Sequence, residues 1–404
     1  MQLTAIQSVA EKSIVAQAAI AGPRTAVVHE WLETYAGAER ALEQILVATR
    51  AHDLFAIVDF MPDSVRADST LPAAHTSFIQ NIPGARKYFR KLLWLMPLAV
   101  EQLDVSQFDI VISSNHAVAK GVITGPDQLH ISYVYTPMRY AWDMQNRYLN
   151  AAGLGRGMTS LLARYMLRRL RRWDVQSANG VDSFVAISHY IARRILKAYG
   201  RWAAVIYPPV AIDQFSYTET KDSYYLCVSR MVPYKRIDLI VDAFSRMPQR
   251  KLLVIGDGPE MNAMKRKAAE FRNIELLGNQ KQPEMVDYMK RAKAFVYAAE
   301  EDFGIAMAEA QACGTPVISF DRGGAAEIVR GLDREAPTGV LFDRQSAESI
   351  IKAVEDFERL GDRISPGNCR KNAERFGNQR FQKEFVEFVS REWERFQQNR
   401  RAVN

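Results

Sequence analysis

The sequence predicts an α/β protein of two domains, each a parallel sheet covered by helices on both faces. Three observations carry this. Short apolar runs of strand character alternate with amphipathic helical stretches along the whole chain. The alternation breaks once, at Tyr207-Pro208-Pro209-Val210 and the polar stretch to Asp222, and then starts again. The length of 404 residues is long for one domain and comfortable for two. The expected division is a frayed leader over 1–23, a first domain over 24–206, a second over 207–376, and a terminal segment, 377–404, packed back on the first.

In the first half, Ala26-Val27-Val28 reads as a strand, followed by a loop around Tyr35-Ala36-Gly37-Ala38 and a helix over 39–49. Strands follow at Leu54 to Phe60, Asp109 to Ile112, His130 to Tyr135 and Ser183 to Ala186. In the second half, strands at Tyr224 to Val228, Leu252 to Ile255, Ile274 to Leu276 and Ala294 to Tyr297 alternate with helices. The segment 377–398 reads as one long aromatic-rich helix.

Composition is that of an ordinary globular protein. The cysteines, Cys227, Cys313 and Cys369, are scattered without metal spacing, which points to a reducing cytoplasm. No run approaches the uncharged apolar length of a membrane span. Charge, +7 overall, is concentrated: residues 156–172 hold Arg156, Arg164, Arg168, Arg169, Arg171 and Arg172 and no acid, interleaved with Leu161, Leu162, Tyr165, Met166 and Leu170. Residues 86–96 repeat the theme, with Arg86, Lys87, Arg90 and Lys91 beside Phe89, Leu92, Leu93, Trp94, Leu95 and Met96. Such basic amphipathic helices have two readings: the apolar stripe is core, or it lies on an anionic membrane surface. No nucleic-acid recognition motif accompanies them.

Residues 301–320, EDFGIAMAEAQACGTPVISF, carry the strongest signal. Glu301 and Glu309 are eight positions apart, a little over two helical turns. Phe303-Gly304 begins a helix that stops at Cys313-Gly314-Thr315-Pro316 before an apolar strand. The helix N-terminus has free amides and a partial positive charge, so an anion can dock there, while carboxylates accept from hydroxyls. Upstream, Arg230 follows a strand end and Lys235 opens the next helix, where α/β sheets bind ligands. Both are placed to neutralise a diphosphate. The turn Gly256-Asp257-Gly258-Pro259 follows another strand end and reads equally as a structural turn.

These residues resemble the E-x7-E donor signature of retaining GT-B glycosyltransferases of family 4. The stretch Thr136-Pro137-Met138-Arg139-Tyr140-Ala141-Trp142-Asp143 is similar to a segment of a bacterial surface-polysaccharide mannosyltransferase subgroup, and Gly37-Ala38-Glu39-Arg40 resembles the family's G-G-A-E-R loop with Ala36 in place of its first glycine. The resemblance implies two Rossmann-like domains facing across a cleft, and front-face transfer of a hexose from a nucleotide-sugar. His116, Glu301, Arg230 and Lys235 would be the catalytic group. Gly37, Gly256, Asn279, Phe303, Gly304, Ile305 and Glu309 would join Arg230, Lys235 and Glu301 around the donor, with Glu309 on the ribose. Tyr135, Arg139, Tyr140, Trp142 and Asp143 would meet the acceptor.

The subgroup implies mannose from GDP-mannose and a polyprenyl-diphosphate-linked oligosaccharide at the inner membrane face, in exopolysaccharide or O-antigen synthesis. No metal or other cofactor is expected: the chain has no Asp-x-Asp pair. A UDP-sugar donor, a nucleotide-sugar 2-epimerase of the same fold and a silent sugar-nucleotide-binding protein are the rival readings.

Overall fold

The computed structural model describes residues 22–151 and 153–403, so the leader expected over 1–23 falls almost wholly outside the described residues. Seven strands form the first sheet: Thr25–Leu32 (β1), Asp53–Asp59 (β2), His75–Thr76 (β3), Ile110–Asn115 (β4), Leu129–Val134 (β5), Ser183–Ala186 (β6) and Ala203–Val205 (β7). Their order is β3-β2-β1-β4-β5-β6-β7 and every pair is parallel. Six more form the second sheet: Tyr224–Val228 (β8), Lys251–Ile255 (β9), Ile274–Gly278 (β10), Ala294–Tyr297 (β11), Val317–Phe320 (β12) and Gly339–Phe342 (β13). That sheet is also parallel, in the order β10-β9-β8-β11-β12-β13. The two-domain α/β reading is therefore the observed fold.

Helices cover both faces of each sheet, so the central strands are buried along most of their length, their polar residues included. β1 and β4 are paired in register, Val27 beside Ile112, and both residues are fully buried. Strand order reverses between β1 and β4 in the first sheet and between β8 and β11 in the second. In open α/β sheets such reversals leave a crevice at the strands' carboxyl ends, where ligands bind. Here the two crevices face each other.

The terminal helix Asn378–Val403 lies on the first domain. Phe381 and Phe385 fall on one face and set their stacked rings edge-on against Tyr133 of β5. Gln382 donates to Gln44 at 2.6 Å, and Ser183 donates to Glu392 at 2.6 Å. A single buried cluster runs from Val27 and Leu42 through Phe303 and Met307 to Phe376 and Phe385, joining both domains.

Two local features differ from the sequence reading. Residues 86–96 are not one helix but a helix Ala85–Tyr88, a 3-10 turn Phe89–Leu92 and a helix beginning at Met96. Pro97 explains part of this: it has no N–H to continue a helix through that point and sits in the first turn of the new one. The short strands β3, β7 and β13, of two, three and four residues, were not anticipated.

Candidate active site

The first-domain wall is built on β1. Three consecutive residues there, His29, Glu30 and Trp31, carry it. His29 and Glu30 are fully buried. A charged residue in a buried strand must find partners, and Glu30 finds five. Its Oε1 accepts the backbone N–H groups of His116, Ala117, Val118 and Ala119 at 2.8, 2.7, 3.2 and 3.2 Å. Its Oε2 lies 2.8 Å from His116 Nδ1. Burial alone would push the Glu30 carboxyl up, but His116, His29 and the amides hold it down at about 2.

His116 follows β4 directly. Its ring stands edge-on to Trp31, with centroids 4.7 Å apart. Burial works against the imidazolium, yet the Glu30 carboxylate outweighs it and raises the His116 pKa. His29 behaves oppositely. Its Nδ1 lies 3.1 Å from the Ser114 carbonyl, and burial lowers its pKa. Among the described residues, His29, Glu30 and His116 are the group whose donor atoms lie close enough for a metal, within 4.8 Å. Glu30 Oε1 is taken up by the four amides, while Glu30 Oε2, His29 Nε2 and His116 Nδ1 make no hydrogen bond among the described residues. With Oε2 at 2.8 Å from His116 Nδ1, we read the group as a buried carboxylate–imidazole ion pair.

The opposite wall comes from β8 and β11. Lys235, in the 3-10 turn Pro233–Lys235, forms an ion pair with Glu301, and its Nζ donates to the Tyr297 hydroxyl at 3.0 Å. Tyr297 in turn donates to Glu301 at 2.9 Å. Burial opposes the lysine's charge, but Glu301 and Tyr297 raise its pKa. Gly304 takes φ 108°, and a Cβ there would meet Met307 Cε at 2.2 Å, so glycine is required where the helix Ile305–Ala312 begins.

One cavity of about 460 Å³ is lined by Trp31, Gly37, His116, Tyr135, Arg139, Lys235, Tyr297, Glu301, Phe303, Gly304 and Ile305, among others. The structure thus brings together His116, Lys235, Glu301, Gly37 and the start of the helix Ile305–Ala312. Gly37 begins the helix Gly37–Thr49 and lies against Ile305 of the other domain; a Cβ would stand 2.6 Å from Ile305 Cδ1. Ala36 has φ −120°, ordinary extended backbone, which is why this position does without the glycine of the G-G-A-E-R pattern.

Glu309 faces elsewhere. It is buried and accepts from Arg40 Nη1 at 3.1 Å across the interface. It lines a neighbouring cavity of about 450 Å³ with Tyr35, Arg40, Gln214 and Gln282, and Ile305 borders both spaces. Burial raises its pKa, with Arg40 pulling the other way. Arg230 is exposed and makes no side-chain ion pair or hydrogen bond with the described residues, so its charge is available to an anion. Gly256 packs against the Ser229 carbonyl, and Asn279 is exposed beyond β10. None of Arg230, Gly256 and Asn279 lines the two cavities.

The aromatic loop requires correction. Tyr135 and Arg139 line the cavity, but Tyr140, Trp142 and Asp143 do not. Trp142 is turned inward: its indole N–H donates to Asp174 at 2.7 Å, and its ring packs on Tyr199 and Arg171. Tyr140 packs on Tyr148 and the first-domain core. Asp143 pairs with Arg194 at 2.5 Å. Arg139 is itself committed to Asp302, which also accepts from Arg194 at 3.1 Å. Sequence reasoning missed Glu30, Arg40, Asp302 and Trp31. For Glu30 a signal was present: a carboxylate inside the apolar run Val27-Val28-His29-Glu30-Trp31-Leu32.

Away from the cleft, the helix Met158–Ser177 buries Leu170 but leaves Met158, Leu161, Leu162 and Tyr165 exposed by 81, 63, 62 and 56%. The first half of its apolar stripe is therefore surface, not core. No helix among the described residues is long and apolar enough to cross a membrane.

Two facing parallel-sheet domains with a charged interdomain cavity define the GT-B architecture. The chain superposes on Anabaena HepE, solved with UDP and glucose, with a TM-score of 0.66 over 90% of this chain and 99% of that one, at 16% identity. It superposes on sucrose-phosphate synthase from Thermosynechococcus elongatus with a TM-score of 0.68 over 91% and 98%, at 15% identity. At such identities the likeness is one of fold. Residues 211–376 match the family model of Glycosyl transferases group 1, so the second domain is a domain of that type.

Among curated relatives, a GDP-mannose-dependent monoacylated alpha-(1-6)-phosphatidylinositol monomannoside mannosyltransferase of Corynebacterium glutamicum is 28% identical over 48% of this chain and 58% of its own. The GDP-mannose-dependent alpha-(1-6)-phosphatidylinositol monomannoside mannosyltransferase of Mycolicibacterium smegmatis is 26% identical over 48% and 56%. The chain thus spans little more than half the length of these two relatives.

Proposed function

We propose that this protein is a retaining glycosyltransferase that transfers mannose from GDP-mannose to a lipid-linked oligosaccharide. The observation that carries the reading is the placement of the Lys235–Glu301 pair at the second sheet's crevice, directly across one cavity from His116 at the first sheet's crevice. The donor's diphosphate takes Lys235 and Arg230 as its cations, in place of a metal, and releases Glu301 to bind the sugar's hydroxyls. Glu309 exchanges Arg40 for the ribose. As the leaving diphosphate takes the acceptor's proton, the two cations hold its growing charge. Front-face transfer needs no carboxylate on the sugar's far side.

Mannose is favoured because the matched relatives named above are GDP-mannose-dependent mannosyltransferases. Their acceptors are lipids, which fits the exposed apolar and basic face of Met158–Ser177. That face would rest on an anionic membrane at its cytoplasmic side, with the product entering exopolysaccharide or O-antigen.

Thermal-shift binding of GDP-mannose, UDP-glucose and UDP-galactose, each with and without EDTA, tests the reading. Selective, EDTA-insensitive stabilisation by GDP-mannose is expected. Preference for a UDP-sugar overturns the donor, and loss of stabilisation in EDTA overturns the metal-free diphosphate.

A further inference from the structure

We propose that Glu30 is a positioning residue: it fixes the His116 ring through Nδ1 and so presents Nε2–H as a donor to a ligand oxygen in the interdomain cavity. This rests on the cleft being the ligand site, as proposed above, and adds a role for a residue that makes no contact with the cavity itself.

The geometry has three parts. Glu30 is fully buried, while the His116 side chain is 26% exposed and lines the cavity. One face of the imidazole is therefore held in the protein and the other reaches the ligand space. Glu30 Oε1 gathers the four amides of residues 116–119, which fixes the backbone that carries the ring. Glu30 Oε2, 2.8 Å from Nδ1, makes a close ion pair whose geometry falls short of a hydrogen bond, and its charge holds the proton on that side of the ring. Trp31 stands edge-on to the imidazole, its ring centroid 4.7 Å away, and packs against one side of it.

A carboxylate behind an imidazole sets which nitrogen carries the proton and favours the doubly protonated ring. In a cleft whose ligand is an anion, that ring supplies both a hydrogen bond and a positive charge opposite Lys235. The charged and titratable groups facing His116 are Glu30 and His29 on β1, Glu39 on the helix Gly37–Thr49, Arg90 on the turn Phe89–Leu92 and Tyr135 after β5, whose ring centroid lies 6.3 Å from the imidazole. The two carboxylates favour the imidazolium. Arg90 and burial oppose it.

The test uses full-length protein with 15N-labelled histidine, the His116 signals assigned by His116→Gln. In the wild type, His116 should titrate above the ordinary histidine midpoint of about 6.5 with Nδ1 protonated throughout. In Glu30→Gln the midpoint should fall by about one pH unit or more. GDP, followed by calorimetry at pH 7, should bind about tenfold more weakly to the variant. Wild-type GDP affinity should also decline as pH rises through the His116 midpoint, and the variant should lose that decline.

A wild-type midpoint at or below 6.5 overturns the proposal and needs no variant to be folded. So does an unchanged midpoint in Glu30→Gln, or a shifted midpoint with unchanged GDP affinity. If neither GDP nor UDP binds while His116 titrates as expected, the positioning geometry stands and the glycosyltransferase reading fails.

Discussion

Asp302 is the residue whose removal should reveal most about how the two domains are held. It belongs to the second domain, yet both its cationic partners, Arg139 and Arg194, belong to the first. Arg139 donates through Nε at 2.9 Å and again through Nη2, and Arg194 Nη1 donates at 3.1 Å. The three side chains are only 10–18% exposed. Burial pushes the Asp302 pKa up while the arginines pull it down, so the carboxylate depends on them.

Asp302→Ala deletes the shared anion and leaves two guanidiniums in a poorly solvated interface. Breaking a buried pair from one side costs about 3–5 kcal/mol. Asp302→Asn keeps the acceptor oxygen and should cost less, on the order of 1–3 kcal/mol. Urea unfolding followed by tryptophan fluorescence would read both. A double-mutant cycle of Asp302→Ala with Arg139→Ala should show a coupling of roughly 1–3 kcal/mol, because the second change removes a charge already orphaned. If Asp302→Ala costs less than about 1 kcal/mol, or the two changes simply add, the interface is not held by this cluster and the reasoning is wrong.

Four further outcomes are expected. Glu30 sits at about 2 against an ordinary 4.5, so it should contribute about 3 kcal/mol that is present above pH 4.5 and lost as pH falls towards 2; Glu30→Gln should flatten that acid limb of the stability curve. Lys235→Met strands Glu301 and removes a cation from the cavity, and should lower kcat/KM by about 10²–10³, a loss under fivefold counting against its proposed role. Gly37→Val should clash with Ile305, whose Cδ1 stands 2.6 Å from a Cβ at that site, and Ile305→Ala should restore part of the lost stability. Leu161→Glu with Leu162→Glu should abolish binding to phosphatidylglycerol vesicles while shifting stability by no more than about 0.5 kcal/mol, since both side chains are exposed.

The fold was legible in the sequence because its signals are local. Buried parallel strands are short apolar runs, their helices are amphipathic, and the break at Tyr207–Val210 falls where the first sheet ends. Gly304 could be read for the same reason: a helix start needing positive φ leaves its mark at one position. Glu301 was singled out from its spacing to Glu309 at the mouth of a helix, and Lys235 from its place at the start of the next helix after β8.

What the sequence could not decide was which way side chains turn and whom they meet. The run from Tyr133 to Asp143 is aromatic whether its rings face a sugar or a core, and only packing assigned Trp142 to Asp174 and Tyr140 to Tyr148. Leu161 and Leu170 belong to one stripe, yet one is exposed and the other buried, because the neighbouring elements cover only part of that helix. The Glu309–Arg40 and Asp302–Arg139 pairs join residues 269 and 163 positions apart. Periodicity and propensity act over a few residues. A charge buried at a domain interface is decided by whatever the whole chain brings beside it.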